Sequence, residues 1–97
     1  MKLTTAELGN KLDLARSRFP LHSVHQHYKG GVYEVIGHAL NTDDMVTTAI
    51  LYRRIDGPGF DAIAETGITY SRPMMEWTEV VHDESNNIHL ARFRRIA

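Results

Sequence analysis

The first hydrophobic pattern along the chain has the spacing of a helix. Four apolar residues fall at i, i+4, i+7 and i+11 and so share one helical face: Leu8, Leu12, Ala15 and Phe19. Thr4 ahead of them can cap the helix, and Glu7 three residues later can complete a capping box. The pattern therefore predicts an amphipathic N-terminal helix that ends before Pro20.

After Pro20 the hydrophobic period changes to that of β-strands. Val32–Leu40 is largely apolar on both faces, and Gly37 within it is a position for a bend or a bulge. A turn is predicted at Asn41–Asp44, because Asn and Asp bond their own backbone, and Met45–Arg54 is predicted as the partner strand. A strand buried on both faces in so small a protein predicts a sheet that curls or closes.

The second half of the chain alternates turn signals with short strand signals. Asp56–Gly59 is the strongest breaker, and an irregular loop is predicted after it. A strand is predicted at Ile68–Tyr70, one helical turn at Pro73–Trp77, and a last hairpin from Thr78–Val81 and Ile88–Phe93. These elements predict a mostly β (α+β) fold: a small SH3-like barrel of about five strands with an N-terminal α-helix.

The length of 97 residues fits one domain with a single core. We predict that residues 1–20 form an accessory N-terminal helix and that residues 21–97 form the SH3-like β-barrel domain. The apolar stripe of the helix is predicted to cover one end of the core. The alternative is that the stripe joins two copies, so the protein is expected to be a monomer or a homodimer through this helix.

The composition excludes several kinds of site. Because the chain has no cysteine, disulfides, thiolate metal sites and a cysteine nucleophile are impossible, and a cytoplasmic location is favoured. The net charge of −1 gives no overall field that would attract nucleic acid or a membrane, although it does not exclude a local basic patch. No apolar run approaches the roughly 18 residues that a membrane span needs, so no membrane partner is expected.

Five short motifs, in order along the chain, resemble one family. They are His27-Tyr28-Lys29-Gly30, Tyr33-Glu34-Val35-Ile36-Gly37, Leu51-Tyr52-Arg53, Arg72-Pro73-Met74 and Arg92-Phe93 with Ile96. The set resembles DUF1653, a small bacterial family of unknown function, over His25–Ile96. The resemblance implies a compact β domain of SH3-like type and implies no activity. The chain departs from the family at Ile68–Ser71, where a tryptophan is usual, and at Ala91, where a proline is usual.

A group of cations and aromatic rings is the best candidate for a ligand site. Its members are His27, Tyr28, Lys29, Arg72, Tyr70 and Trp77. Cationic donors beside aromatic faces suit an anionic planar ligand, a nucleotide or single-stranded nucleic acid. The rings could instead pack in the core or at its rim. We predict that His27, Tyr28, Lys29 and Arg72 bind an anion.

Arg72 has a second, structural interpretation. Its position before Pro73 confines its backbone to extended dihedrals, so the side chain has a fixed direction. A cation in a small barrel often needs a carboxylate partner, and Glu34 or Glu76 could supply one. The sequence slightly favours this role, a structural ion pair between Arg72 and Glu34, and leaves Lys29 and His27 as the better anion contacts.

The histidines raise the question of a metal. His25 and His27 would share a strand face, but no further ligand at a metal-binding spacing accompanies them. We therefore predict no metal site and no cofactor. Carboxylates such as Glu34 could form an acid–base pair, yet the chain contains no nucleophile elbow and no glycine-rich phosphate loop.

These observations favour a small binding or interaction module with an SH3-like barrel. Its ligand is expected to be an anion, a nucleic acid or an unidentified protein partner. The alternative is a small enzyme that acts on a phosphorylated or nucleotide substrate. One geometric feature separates the two: the enzyme is favoured if Glu34, His27 and Arg72 meet in one pocket within hydrogen-bond reach.

Overall fold

The computed structural model describes residues 3–42 and 46–97. In this part of the chain, two helices and seven strands follow one another. Their bounds are α1 Thr5–Arg18, β1 Val24–His27, β2 Val32–Asn41, β3 Thr47–Asp56, β4 Tyr70–Pro73, α2 Met74–Trp77, β5 Val80–Asp83, β6 Ile88–Ala91 and β7 Phe93–Arg95.

Helix α1 begins as its sequence predicts. The Thr4 side chain accepts a hydrogen bond from the Glu7 backbone, and the Glu7 side chain accepts one from the Thr4 backbone, which completes the capping box. Ala15 and Phe19 are buried in the core, so the stripe does cover the sheet. The His38 ring donates a hydrogen bond to the Phe19 carbonyl at 2.6 Å and ties the end of the helix to β2.

The strands form two antiparallel sheets. The larger sheet has the order β4-β3-β2-β1-β7, and β5 pairs with β6 in a separate hairpin. The mostly β class is confirmed, with seven strands rather than about five. A closed barrel would need β4 to pair with β7, and in the described residues these two strands are the edges of the larger sheet.

A bulge bends β2 at the predicted glycine. The pairing with β3 shifts register between Val35 and Gly37, which leaves Ile36 without a partner position. Val35 is fully buried, whereas Ile36 is 36% exposed. The prediction of a bend at Gly37 is confirmed, and the prediction that both faces of the strand are buried fails at Ile36. The turn predicted at Asn41–Asp44 falls partly outside the described residues.

The later strands differ from the prediction in where they begin. The strand predicted at Ile68–Tyr70 runs instead from Tyr70 to Pro73, with Tyr70 opposite Tyr52. A proline is tolerated there because β4 is an edge strand. The predicted helical turn is confirmed as α2, and so is the last hairpin. Phe93, however, leaves that hairpin and pairs with His27 of β1.

The core is mainly aromatic. Trp77 stacks on Phe93 with ring centroids 4.0 Å apart and planes 13° from parallel. Tyr52 meets Trp77 edge to face at 5.3 Å, and His25 meets it in the same way at 4.8 Å. Ile50 fills the same layer and is fully buried. Neither helix in the described residues is long and apolar enough to cross a bilayer.

Candidate functional site: a cationic cavity

The two edge strands of the larger sheet approach each other through side chains. The guanidinium carbon of Arg72 on β4 lies 5.5 Å from the centroid of the Phe93 ring on β7. Beside this contact lies a cavity of about 440 Å³, which we call the cationic cavity. Its cationic and imidazole side chains are His27, Lys29, Arg54, Arg72 and Arg92. Its aromatic side chains are Tyr28, Tyr33, Tyr52 and Phe93.

Strand alternation places the side chains of β3 at this cavity. Ile50, Tyr52 and Arg54 are two residues apart and share one face of the strand. Ile50 and Tyr52 fill the core, and Arg54 continues the same line to the end of the strand. In the pairing with β2, Arg54 stands opposite Tyr33. One face of β3 therefore lines the core at Ile50 and Tyr52 and lines the cavity at Arg54.

Two tight turns form one end of the cavity. Gly30 and Gly57 both have φ of +106°, a conformation that residues with side chains rarely adopt. A Cβ on Gly57 would lie 2.6 Å from the Gly30 carbonyl oxygen, so the turns touch through their backbones. Arg54 donates hydrogen bonds to the carbonyl oxygens of Asp56 and Pro58. These bonds fix its guanidinium against the second turn.

His27 stands among the cations in its neutral form. Its Nδ1 accepts a hydrogen bond from the Lys29 backbone at 3.1 Å, so the neutral ring carries its proton on Nε2. Burial lowers the pKa of His27, and the charges of Arg72, Arg92 and Lys29 lower it further. The ring also packs edge to face against Phe93 at 5.0 Å. The three neighbouring cations thus oppose protonation of His27, in addition to the larger effect of burial.

The structure does not bring Arg72 and Glu34 together, and the predicted ion pair is wrong. Glu34 stands directly opposite Arg53 in the sheet and accepts a hydrogen bond from its Nε at 2.6 Å. His22 donates to the other carboxylate oxygen at 3.1 Å. The bond from Arg53 is the main reason why the pKa of Glu34 is below its ordinary value. Arg72 Nε is directed instead to the Tyr52 hydroxyl at 3.4 Å.

Lys29, Tyr28 and Arg92 complete the rim. The Lys29 ammonium lies 5.8 Å from the centroid of the Tyr28 ring. The Tyr28 backbone N–H donates to the Arg92 carbonyl at 3.0 Å, which joins the first turn to the start of β7. The Arg92 guanidinium reaches Glu79 at 3.3 Å, while its Nε is buried and has no hydrogen-bond partner in the described part of the chain. Arg92 thus has a carboxylate partner at one end of its guanidinium and an unused donor at Nε.

The four predicted anion-binding residues, His27, Tyr28, Lys29 and Arg72, all border the cationic cavity. The two other rings that were considered with them, Tyr70 and Trp77, do not border this cavity. Trp77 is buried in the core, and Tyr70 stacks on Tyr52 and donates its hydroxyl hydrogen to Glu65 at 2.8 Å, which raises the pKa of Tyr70.

Sequence reasoning missed two cations of the cavity, Arg54 and Arg92. The signal for Arg54 was its place two residues after Tyr52, on the buried face of a strand. Arg92 is part of one of the motifs quoted above, but nothing in the linear pattern related it to Lys29. Of the residues that the structure describes, none that borders the cavity is acidic.

Three other histidines of the first half of the chain, His22, His25 and His38, have separate contacts outside the cavity. His25 is buried and donates from Nε2 to the Ser23 hydroxyl at 2.9 Å, because that hydroxyl donates its own hydrogen to the Pro20 carbonyl. His22 contacts Glu34, and His38 contacts the end of α1. No group of three or more potential metal-ligand side chains comes together in residues 3–42 and 46–97.

Comparison with known proteins gives one match. The family model DUF1653, described as a protein of unknown function, matches residues 23–95. No curated protein and no solved structure matches the chain. The motifs quoted for this resemblance come from five places in the sequence, and each of them except the one at Arg72 supplies an aromatic ring to the cationic cavity. The motif at Arg72 supplies a cation.

Proposed function

The chain belongs to the DUF1653 family, whose function is unknown, and we propose from its cavity that it is a binding module for an anionic, phosphate-bearing ligand. One observation carries the proposal. Lys29, Arg54, Arg72 and Arg92 face a single cavity, with no acidic side chain among the described residues that line it. Glu79, which does not line the cavity, pairs with Arg92, whereas Lys29, Arg54 and Arg72 have no carboxylate partner among the described residues. These three therefore have unused capacity for an anion, and arginine matches phosphate in shape as well as charge.

The contacts of the arginines support this proposal. Arg54 has five N–H donors, and its bonds to the Asp56 and Pro58 carbonyls use only two of them. Arg72 is half-buried and is held by a hydroxyl and a ring rather than by a carboxylate. Both guanidinium groups are therefore oriented but remain positively charged. A ligand phosphate meets groups that lose little freedom when it binds.

The aromatic walls favour a ligand that also carries a planar group. Tyr28, Tyr33 and Tyr52 border the same cavity as the cations. Its volume of about 440 Å³ falls within the range of roughly 300 to 1,000 Å³ that small-molecule sites occupy. A nucleotide combines a phosphate with a flat apolar face and fits this combination of residues.

The enzyme alternative has weaker support. The neutral His27 among cations could act as a base, which is the observation in its favour. The carboxylate that the sequence interpretation required is missing from the cavity, because Glu34 is engaged with Arg53 and His22. Release of phosphate from a nucleotide by the purified protein, abolished in His27→Gln, would restore this alternative.

We also propose that the larger sheet is an open relative of the SH3-like barrel. The last strand, β7, lies beside the first, and the helical turn α2 follows β4, as in the predicted order. The contact between Arg72 and Phe93 brings the edge strands together without backbone pairing. An experimental structure in which these edges stand apart would contradict the proposal.

Thermal unfolding at low salt tests the binding function. Inorganic phosphate, pyrophosphate and uridine monophosphate are the probes, because electrostatic contacts weaken as salt rises. A probe at a hundred times its Kd should raise Tm by roughly 10 to 20 °C for a domain of this size.

Paired variants separate the cavity from general charge effects. Arg54→Ala should remove most of the Tm increase. Arg16→Ala removes the same charge from an exposed site on α1, where Arg16 pairs with Asp13, and should keep the increase. If none of the three probes stabilises the wild-type protein at low salt, the proposed function is wrong.

A further inference from the structure

A second cavity adjoins the cationic cavity. It has a volume of about 330 Å³, and Leu90, Ala91, Gln26 and Arg94 are among its lining residues. His27 and Tyr28 border both cavities. The centroids of their two rings are 4.5 Å apart. We call the two cavities together the groove.

The second cavity differs from the first in chemistry. Its floor is apolar where Leu90 and Ala91 line it. At its edge, Arg94 donates a hydrogen bond to the Gln26 side-chain oxygen at 3.2 Å, and the two residues are cross-strand partners. A flat apolar surface with hydrogen-bonding groups along one edge suits a nucleobase, which has an apolar face and a polar rim.

The charge in the groove exceeds what one phosphate needs. Arg94 adds a fifth cation to Lys29, Arg54, Arg72 and Arg92, and of these Arg92 alone is within ion-pair distance of a carboxylate in the described part of the chain. A phosphate monoester carries at most two negative charges near neutral pH. Several cations interspersed with aromatic rings are instead the combination by which proteins follow a nucleic-acid backbone.

We propose that the groove binds a short segment of single-stranded nucleic acid, with backbone phosphates in the cationic cavity and a base in the second cavity beside Tyr28. This inference rests on the proposed function and names its ligand class. Tyr28 borders both spaces, and the Lys29 ammonium beside its ring can hold the phosphate of the stacked nucleotide. A duplex keeps its bases paired and stacked, so it cannot place one there.

Fluorescence anisotropy with labelled oligouridylates of increasing length tests this inference. Affinity should rise from the mononucleotide to a chain of a few nucleotides and then level off, because only a few nucleotides span the groove. For single strands, the logarithm of the affinity should fall with the logarithm of salt concentration by about 0.7 for each phosphate contacted. Contacts from about three phosphates would give a slope near −2. A duplex of equal charge should compete poorly.

Three variants locate the binding. Tyr28→Ala should weaken oligonucleotide binding about tenfold or more, as loss of a stacking ring does elsewhere. Arg94→Gln changes an exposed side chain at the edge of the second cavity, where Arg94 would contact the backbone phosphate next to the bound base. It should reduce the salt slope by about 0.7, so it tests the second cavity even if Tyr28→Ala folds poorly. Arg16→Gln on α1 should leave both quantities unchanged.

The outcomes distinguish single-strand binding from the more general binding of an anion. If uridine monophosphate binds as tightly as the oligonucleotides, or the duplex competes as well as a single strand, the single-strand inference is overturned and the anion-binding function stands. If no phosphate-bearing probe binds, both fail. An unchanged affinity and salt slope in Tyr28→Ala and Arg94→Gln would also overturn the inference, because binding would then lie outside the groove.

Discussion

The guanidinium of Arg72 lies 5.5 Å from the centroid of the Phe93 ring and joins the two edge strands of the larger sheet by a side-chain contact alone. The sheet thus curls without closing through backbone hydrogen bonds. Because the partner of Arg72 is a ring and not a carboxylate, its positive charge remains available at the cavity. The residue is thus able to help hold the sheet curled and to contact an anion.

Arg72→Ala should lower the unfolding free energy by only about 1 to 2 kcal/mol. The variant loses one cation–π contact and one long hydrogen bond to Tyr52, each worth about 1 kcal/mol or less. A buried ion pair would cost roughly 3 to 5 kcal/mol when broken. Urea denaturation measures the difference, and a loss in the larger range would show that Arg72 has a carboxylate partner in solution.

Phe19→Ala should lower the unfolding free energy by about 3 to 5 kcal/mol, because the ring is buried against His25 and Trp77. Leu14→Ala on the same helix is the matched control. Leu14 is 53% exposed, so its loss should cost no more than about 0.5 kcal/mol. Equal losses in the two variants, measured by urea denaturation, would contradict the packing of α1 described above.

A chain that begins at Leu21 should still unfold cooperatively, with a free energy lower by a similar few kcal/mol. In the described part of the removed segment, residues 3–20, the buried side chains are Ala15 and Phe19, and the family match begins only at residue 23. Circular dichroism during urea titration follows the transition. A broad, non-cooperative loss of signal would show that residues 1–20 belong to the core rather than being an accessory.

The stability of the protein should fall between about pH 6.5 and pH 4 because of His25. Burial, assisted by the charge of Arg95, lowers the pKa of this ring to about 4 in the folded state, whereas the unfolded ring titrates near 6.5. The unfolded chain therefore binds more protons in this window, and stability is lost as the pH falls. At about pH 4 the unfolding free energy should be lower by about 3 kcal/mol.

Chemical denaturation across this pH range checks the contribution of His25. His25→Phe keeps an aromatic ring between Phe19 and Trp77 and removes the titrating group, so its unfolding free energy should change less with pH. Glu34, whose pKa is lowered, loses its contribution only as the pH falls further through its folded pKa. A slope that persists undiminished in His25→Phe would assign the effect to another group.

Gly57→Ala should destabilise the protein by about 1 to 3 kcal/mol and weaken anion binding as well. The new Cβ would stand 2.6 Å from the Gly30 carbonyl oxygen in a backbone conformation unfavourable to alanine, and the turns that it separates form one end of the cavity. Gly59 is the matched control, because its φ is also positive, at +74°, but no atom lies within 4 Å of the Cβ that Gly59→Ala would add. Thermal shift with pyrophosphate should therefore be reduced in Gly57→Ala and retained in Gly59→Ala.

The sequence by itself determined most of the local structure. The capping box at Thr4, the bulge beside Gly37 and the helical turn after Pro73 were predictable because each depends on residues within a few positions of one another. The class of fold followed from the order of the helix and strand signals, and the family from five short motifs that resemble it. Phe93 was predicted within the last hairpin and left it, because its pairing with His27 joins segments far apart in the chain.

Only the tertiary structure decided which residues form the site. The register of β2 against β3 places Tyr33 opposite Arg54 and gives Glu34 the partner Arg53, so Arg72 has no carboxylate there. The curl of the sheet then brings Arg72 to Phe93. Both are long-range consequences of strand pairing, and no local pattern records them. The sequence therefore identified Lys29 and Arg72 as cations of the site but not Arg54 and Arg92.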